Sequence, residues 1–150
     1  MIVVDANVLI YLWLKQSYAE TAAALLSSDP HWIAPLLWRM DTEYKGLRRE
    51  IPWVRRLPSE YFREHVWVST QPLELSPRRE QLIEVLGWID GSEQLVFSSD
   101  YPHWDSDEIE YVRARLPQEW QHNVFRGNAM RLYDWSEADL PEELASRVGE

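Results

Sequence analysis

Short apolar runs alternate with longer segments of helical periodicity along the chain. Runs typical of buried strands lie at 2–4, 32–34, 65–70 and 95–99. Helical spacing of apolar residues marks 18–28, 36–50, 79–89, 106–116 and 117–132, and a short helix opens at Pro58. Strands that alternate with helices pair in parallel and are covered by those helices. The pattern predicts an α/β fold with a small, mainly parallel sheet in one domain over 1–135, followed by an acidic, flexible tail over 136–150.

Length and composition narrow this picture. The chain has 150 residues, whereas a complete (β/α)8 barrel needs at least about 200. Lys and Arg number 15 against 25 Asp and Glu, so the net charge of -10 disfavours general binding to nucleic acid. Cysteine is absent, which excludes disulfides and thiolate metal sites and is typical of a reducing cytoplasm. Any metal site must therefore use Asp, Glu or His.

The apolar amino terminus is better explained as a buried strand than as a targeting segment. No basic residues precede the run at 1–14, and Asp5 and Asn7 interrupt it. The run is also too short and too polar to span a membrane. We expect a cytoplasmic protein without a membrane partner.

Two predicted strands end in an aspartate, Asp5 and Asp100. Because the carboxyl ends of parallel strands face the crevice where α/β proteins bind ligands, both carboxylates are candidate site residues. Asp100 can bind a metal or transfer a proton, and His103 follows three residues later. The alternative is that Asp100 and Asp5 are turn residues that bond the amides of their own loops.

One carboxylate does not make a metal site, so Asp5 needs partners. Asp41, Glu43 and Asp100 are the candidates, and their oxygen atoms suit a hard cation. The four histidines lie far apart in the sequence, at 31, 65, 103 and 122, which argues against a multi-histidine zinc site. The expected cofactor is a divalent ion, either Zn, Mn or Mg.

A basic cluster lies between residues 45 and 56. Five cationic residues occur here, near Trp38 and Trp53: Lys45, Arg48, Arg49, Arg55 and Arg56. The cluster is either an RNA-binding patch or a solvated helix face. Four acidic residues in the same region favour the solvated face: Asp41, Glu43, Glu50 and Glu60.

From about 32 to 135 the chain resembles the carboxyl-terminal part of amidohydrolase-related metal-dependent hydrolases and decarboxylases. The matching segments are WRMDTEYKGLRREIPWVRRLPSEYFREHV, QPLE at 71–74, LVFSSDYPHWD and NAMRLY. The resemblance implies an incomplete (β/α)8 barrel whose last strand precedes SDYPH, with Asp100 as a metal ligand or proton-transfer residue. His103 corresponds to the histidine of that motif, and the substrate would be a small molecule. The family's early His-x-His pair and its middle-strand histidines have no counterpart here.

The first 39 residues resemble the start of PIN-domain ribonucleases of the toxin–antitoxin class. VVDANVLIYLWL and YAETAAALLSSDP carry this resemblance. It implies a three-layer α/β fold, a magnesium site built from Asp5, Asp41 and Asp100, an RNA substrate and an antitoxin partner. WIAPLLWR fits both families, so the sequence resembles a join of two family-like parts.

Three functional hypotheses follow. The leading one is an amidohydrolase-like hydrolase or decarboxylase fragment that lacks the complete active site. The alternatives are a PIN-type ribonuclease and a catalytically silent α/β binding module. Because an incomplete barrel exposes strand edges, self-association is also expected.

Overall fold

Four short strands form one parallel sheet in the described part of the chain. The computed structural model describes residues 2–4, 24–26, 29–74, 76–104 and 106–140. The strands are β1 (Ile2–Val4), β2 (Ala24–Leu26), β3 (Val66–Ser69) and β4 (Leu95–Val96). They lie in the order β1-β2-β3-β4, and every neighbouring pair is parallel. The α/β class with a small parallel sheet is confirmed, and this sheet is consistent with part of a barrel.

Helices connect and cover these strands. They are α1 (Ile33–Leu47), α2 (Pro58–His65), α3 (Arg79–Gly87), α4 (Gly91–Gln94), α5 (Ile109–Arg113), α6 (Gln118–His122) and α7 (Asn128–Tyr133). A π-helical turn, Asn123–Gly127, joins α6 to α7, and 3-10 turns lie at Pro30–Trp32 and Glu137–Asp139. No helix among the described residues is both long and apolar enough to cross a membrane.

The hydrophobic core lies between one face of the sheet and these helices. Val66 and Val68 alternate along β3 toward the core, and Leu95, paired with Val68, lies beside them. The helices contribute further buried side chains, among them Ile33, Leu37, Phe62, Leu82, Leu86, Val112 and Val124. Burial of a side chain of this kind contributes about 1.5–3 kcal/mol. Packing of the core therefore holds the sheet in place, and the loops that follow the strands lie at its carboxyl edge.

Gly91 is required where α3 meets α4. A Cβ atom at this position would lie 2.8 Å from the Leu86 carbonyl oxygen and 2.9 Å from the Trp120 ring. Because neither separation is tolerated between heavy atoms that are not bonded, only glycine allows this approach. The close contact allows the end of α3 and the start of α4 to be separated by three residues.

Two predicted elements are wrong. Residues 24–26 lie in a predicted helix but form β2, because pairing with strands on both sides outweighs the helix propensity of Ala and Leu. Residues 32–34 form the start of helical structure rather than a strand. Asp29 accepts a hydrogen bond from the His31 amide and Pro30 occupies the first turn, so the Asp-Pro pair starts a helix. Residues 141–150 lie outside the described residues, and the flexible tail stays a prediction.

Candidate functional site

Hydrogen bonds continue to join the segments that follow β3 and β4 beyond the end of the sheet. The Thr70 amide donates to the Val96 carbonyl (2.9 Å), and the Ser98 amide donates to the Thr70 hydroxyl oxygen (3.1 Å). The Phe97 amide donates to the Val124 carbonyl of the π-helical turn (2.9 Å). These bonds hold the start of the 97–108 loop against the carboxyl edge of the sheet.

Asp100 has a left-handed backbone conformation in this loop. Its φ is 56°, which Asp tolerates better than most residues that have a Cβ. The Asp100 carbonyl accepts a hydrogen bond from the His103 amide (2.9 Å), and Asp100 Oδ2 lies 2.7 Å from His103 Nδ1. Asp100 therefore combines the predicted turn role with a carboxylate paired to a histidine.

Both members of this pair are accessible from solvent. The side chain of His103 is 68% exposed and that of Asp100 is 42% exposed. Asp100 Oδ1 has no hydrogen-bond partner among the described residues, so it is available to a ligand or a proton. The aromatic residues beside the pair, Tyr101 and Trp104, are also exposed, at 83% and 95%.

The loop is closed at its base. The Asp107 amide donates to the Ser99 carbonyl (3.0 Å), and the Ser106 amide donates to the His103 carbonyl (3.2 Å). These bonds limit the conformations that the segment between them can adopt. The structure therefore brings together the predicted pair, Asp100 and His103, at the predicted edge of the sheet.

Asp41 occupies a different environment. It lies in α1 and bonds the start of α2, where its Oδ1 accepts from the Ser59 amide (2.9 Å) and its Oδ2 accepts from the Ser59 hydroxyl (2.7 Å). A carboxylate at a helix N-terminus satisfies an otherwise unpaired amide and interacts favourably with the helix dipole. Both oxygens of Asp41 thus have structural partners, and its role as a metal ligand stays a prediction.

The described residues do not complete a metal centre. No group of three His, Asp or Glu side chains in this part of the chain could hold a metal ion. Asp100 supplies one carboxylate, and one of its oxygens contacts His103. Asp5 lies outside the described residues. A divalent ion at this edge would therefore need further ligands from beyond the residues that the structure describes.

Buried hydroxyl groups at the end of β3 were not anticipated as part of this edge. Ser69 is 3% exposed and Thr70 is fully buried. The Ser69 hydroxyl donates to the Gln71 carbonyl (2.7 Å), while Thr70 bonds Ser98. The sequence does contain a sign of these hydroxyl groups. The apolar residues VWV are followed by Ser-Thr-Gln-Pro, just as LVF is followed by Ser-Ser-Asp after the neighbouring strand.

Comparison with protein families gives one match, to a family described as Amidohydrolase, over residues 31–135. This range is more than half of the chain and includes the Asp100 loop. It overlaps the last nine of the 39 residues that resemble PIN-domain ribonucleases, and the comparisons give no support for that resemblance. No curated protein sequence matches.

The chain is similar to several solved structures, two of which are decarboxylases. One is the 5-carboxyvanillate decarboxylase LigW from Sphingomonas paucimobilis, with a TM-score of 0.54, 23% identity and coverage of 76% of this chain and 34% of that one. The other is a dihydroxybenzoic acid decarboxylase from Polaromonas sp. JS666 with bound manganese and 2-nitroresorcinol. Its TM-score is 0.47, with 20% identity over 79% of this chain and 36% of that one. The chain spans about a third of the length of these structures, and the likeness to the first shows a shared fold.

Proposed function

Because the chain belongs to the amidohydrolase family, we propose that it supplies the carboxyl-edge loop of a hydrolase or decarboxylase site for a small-molecule substrate. Asp100 is the proton-transfer or metal-binding group, and His103 orients it. The observation that carries this proposal is the accessible Asp100–His103 pair in the loop that follows β4.

The pair is suited to proton transfer. In the tautomer with a proton on Nδ1, His103 donates to Asp100 Oδ2 and fixes the carboxylate orientation. In hydrolysis, Asp100 Oδ1 then accepts a proton from the attacking water and afterwards gives it to the leaving group. In decarboxylation, Oδ1 first takes a proton from solvent and donates it to the carbon, and the carbon–carboxylate bond breaks to release CO2. Positioned acid–base groups of this kind contribute about 10²–10⁴-fold to rate.

The described residues supply only part of such a site. Among them no third acid or histidine joins Asp100 and His103, and no two of the four histidines have His-x-His spacing. We therefore expect slow turnover by this chain alone. The ribonuclease hypothesis receives less support, because Ser59 already engages both oxygens of its second acid, Asp41.

The test compares Asp100→Asn with Asp134→Asn. Asp134 is a matched control, because it is also exposed and also left-handed, with a φ of 54°. Asn tolerates this conformation, so each variant removes a charge without straining the backbone. Titration calorimetry with Mn²⁺, Mg²⁺ and Zn²⁺ measures ion binding, and release of CO2 from 5-carboxyvanillate together with cleavage of a panel of small esters and amides measures turnover.

We expect Asp100→Asn to lower turnover at least about 100-fold and to weaken ion binding, while Asp134→Asn matches the parent chain. Circular dichroism checks that both variants fold. Equal behaviour of the two variants would contradict the role of Asp100. Failure of the parent chain to bind any of the ions and to turn over any of the substrates would favour the silent binding module instead.

A further inference from the structure

The side chain of Thr70 replaces a backbone acceptor just beyond the sheet. The Thr70 amide donates to the Val96 carbonyl, which extends the parallel pairing of β3 and β4 by one bond. In a regular parallel pair, the Thr70 carbonyl would then accept from the Ser98 amide. Here the Ser98 amide donates to the Thr70 hydroxyl oxygen instead (3.1 Å). This link between the two segments therefore depends on which side chain is present at position 70.

The hydroxyl group of Thr70 bonds both backbone groups of one residue. Thr70 is fully buried, and its hydroxyl also donates a longer bond, of 3.4 Å, to the Ser98 carbonyl. A hydroxyl group has one donor and two acceptor positions, so it can serve an amide and a carbonyl at once. A residue without a hydroxyl group at this position would leave the Ser98 amide and carbonyl without this partner.

The residue before Ser98 is held from another part of the fold. The Phe97 amide donates to the Val124 carbonyl of the π-helical turn (2.9 Å), and the centroids of the Phe97 and Phe125 rings lie 5.1 Å apart. Two consecutive residues are thus bonded to two different elements. The direction in which the chain leaves β4 is therefore set at the start of the loop.

Asp100 lies close to the residue that Thr70 holds. Two residue steps separate Ser98 from Asp100, so their Cα atoms are no more than roughly 7 Å apart. The two bonds between Asp100 and His103 join residues of the same loop, so they shape the loop from within. They preserve the Asp100–His103 pair wherever the loop lies. The bond from Ser98 to Thr70 instead joins the loop to the segment that follows β3.

We propose that Thr70 is a positioning residue, whose hydroxyl group holds Ser98 and thereby directs the Asp100 carboxylate toward the substrate. This role rests on the proposed function, because it serves the reaction assigned to Asp100. Thr70 is not itself a catalytic residue, since its hydroxyl group is buried and bonded to Ser98. Placement of this kind matters for rate, because a displacement of about 1 Å can slow a reaction about 100-fold.

Variants of the full chain separate the hydroxyl group from the rest of the side chain. Thr70→Val replaces the hydroxyl group by a methyl group of similar size, and Thr70→Ser keeps the hydroxyl group. Ser69→Ala is the matched control, because Ser69 is also buried at the end of β3 but its hydroxyl donates to the Gln71 carbonyl of its own segment (2.7 Å). Urea denaturation checks folding. If Thr70→Val does not fold, Thr70→Ala takes its place and is judged by the same criteria.

NMR spectroscopy without substrate measures how firmly the loop is held. We expect Thr70→Val to speed hydrogen exchange of the Ser98 amide about fivefold, as for the loss of one ordinary hydrogen bond. The order parameter of the Asp100 amide should fall from the rigid range, about 0.85, toward about 0.6. Thr70→Ser should keep both quantities close to those of the parent chain, and Ser69→Ala should leave them unchanged.

Kinetics separate positioning from a general loss of stability. The substrates are 5-carboxyvanillate and the same panel of small esters and amides. We expect Thr70→Val to lower kcat about tenfold and to change KM less than about twofold, because the substrate still binds while the carboxylate is misplaced. Thr70→Ser should recover most of kcat, and Ser69→Ala should match the parent chain.

The proposal is overturned if Thr70→Val leaves the exchange of Ser98 and the order parameter of Asp100 unchanged. Equal effects of Thr70→Val and Thr70→Ser, an equal loss of kcat in Ser69→Ala, or lost order at Asp100 with an unchanged kcat would also overturn it. A parent chain that turns over none of the substrates would contradict the proposed function. The NMR comparison would then still decide whether the Thr70 hydroxyl holds Asp100 in place.

Discussion

Asp41 and Asp100 are two aspartates that the sequence predicts as metal ligands, Asp100 as the leading candidate and Asp41 as a partner, and the structure gives them different surroundings. Asp41 faces a helix N-terminus and a hydroxyl group, and Ser59 donates to both of its oxygens. Asp100 lies in the loop four residues beyond β4, and one of its oxygens contacts His103 while the other has no described partner. The comparison shows that the donors around a carboxylate decide whether it stabilises the fold or is available to a ligand.

The largest effect on stability should come from removing the bonds of Asp41. Asp41→Ala leaves the Ser59 amide without its acceptor, and we expect the free energy of unfolding to fall by about 1–2 kcal/mol. Urea denaturation measures this loss. Glu43→Ala is the control in the same helix. It removes only an exposed pair with Arg39, worth about 0.3–0.5 kcal/mol. Equal losses for the two variants would remove the contrast between Asp41 and an ordinary surface acid.

A smaller effect should separate the backbone of Asp100 from its charge. Asp100→Ala places a residue without a polar side chain at a φ of 56°, which we expect to cost about 1 kcal/mol. Asp100→Asn and Asp100→Gly should stay within about 0.5 kcal/mol of the parent chain, because both residues tolerate this conformation. Thermal or urea unfolding distinguishes these outcomes. If Asn proved as destabilising as Ala, the carboxylate itself would stabilise the fold, and Asp100 would resemble Asp41.

The smallest effect should come from an exposed acid that has a partner. A hydrogen bond from Arg56 holds the pKa of Glu64 below its ordinary value. Because the folded pKa is lowered, the pair stabilises the fold above the unfolded pKa, and this contribution is lost as pH falls through the folded pKa. Urea midpoints of the parent chain and Glu64→Gln, measured from about pH 7 to about pH 3, should therefore converge in acid. A difference that grows toward acid would show the opposite linkage.

The sequence pattern correctly predicted those strands and helices whose own residues favour the structure that they adopt. The apolar run before Ser69, the run that begins at Leu95 and the periodic segment of α3 are confirmed as β3, β4 and α3. β2 was missed because its Ala-Leu-Leu sequence favours a helix, and only its neighbours in the sheet make it a strand.

In the candidate site, too, contacts between residues that are close in sequence were easier to anticipate than contacts between residues that are far apart. An apolar run that ends in a polar run made Asp100 a candidate, and His103, three residues later, was a second candidate whose contact with Asp100 only the structure shows. The role of Asp41 depends on Ser59, eighteen positions later. No local pattern reveals that these two residues meet.

The hydrogen bond between Phe97 and Val124 has a mechanical consequence for the loop that carries Asp100. Three residue steps separate Phe97 from Asp100, so their Cα atoms can be no more than roughly 10 Å apart. The start of the loop is therefore held by the π-helical turn, at a short distance from Asp100. Because Val124 belongs to the hydrophobic core and Phe97 packs against it, a displacement of that turn, for example by a ligand or partner that contacts α6 or α7, would link the packing of the core to the position of the Asp100 carboxylate.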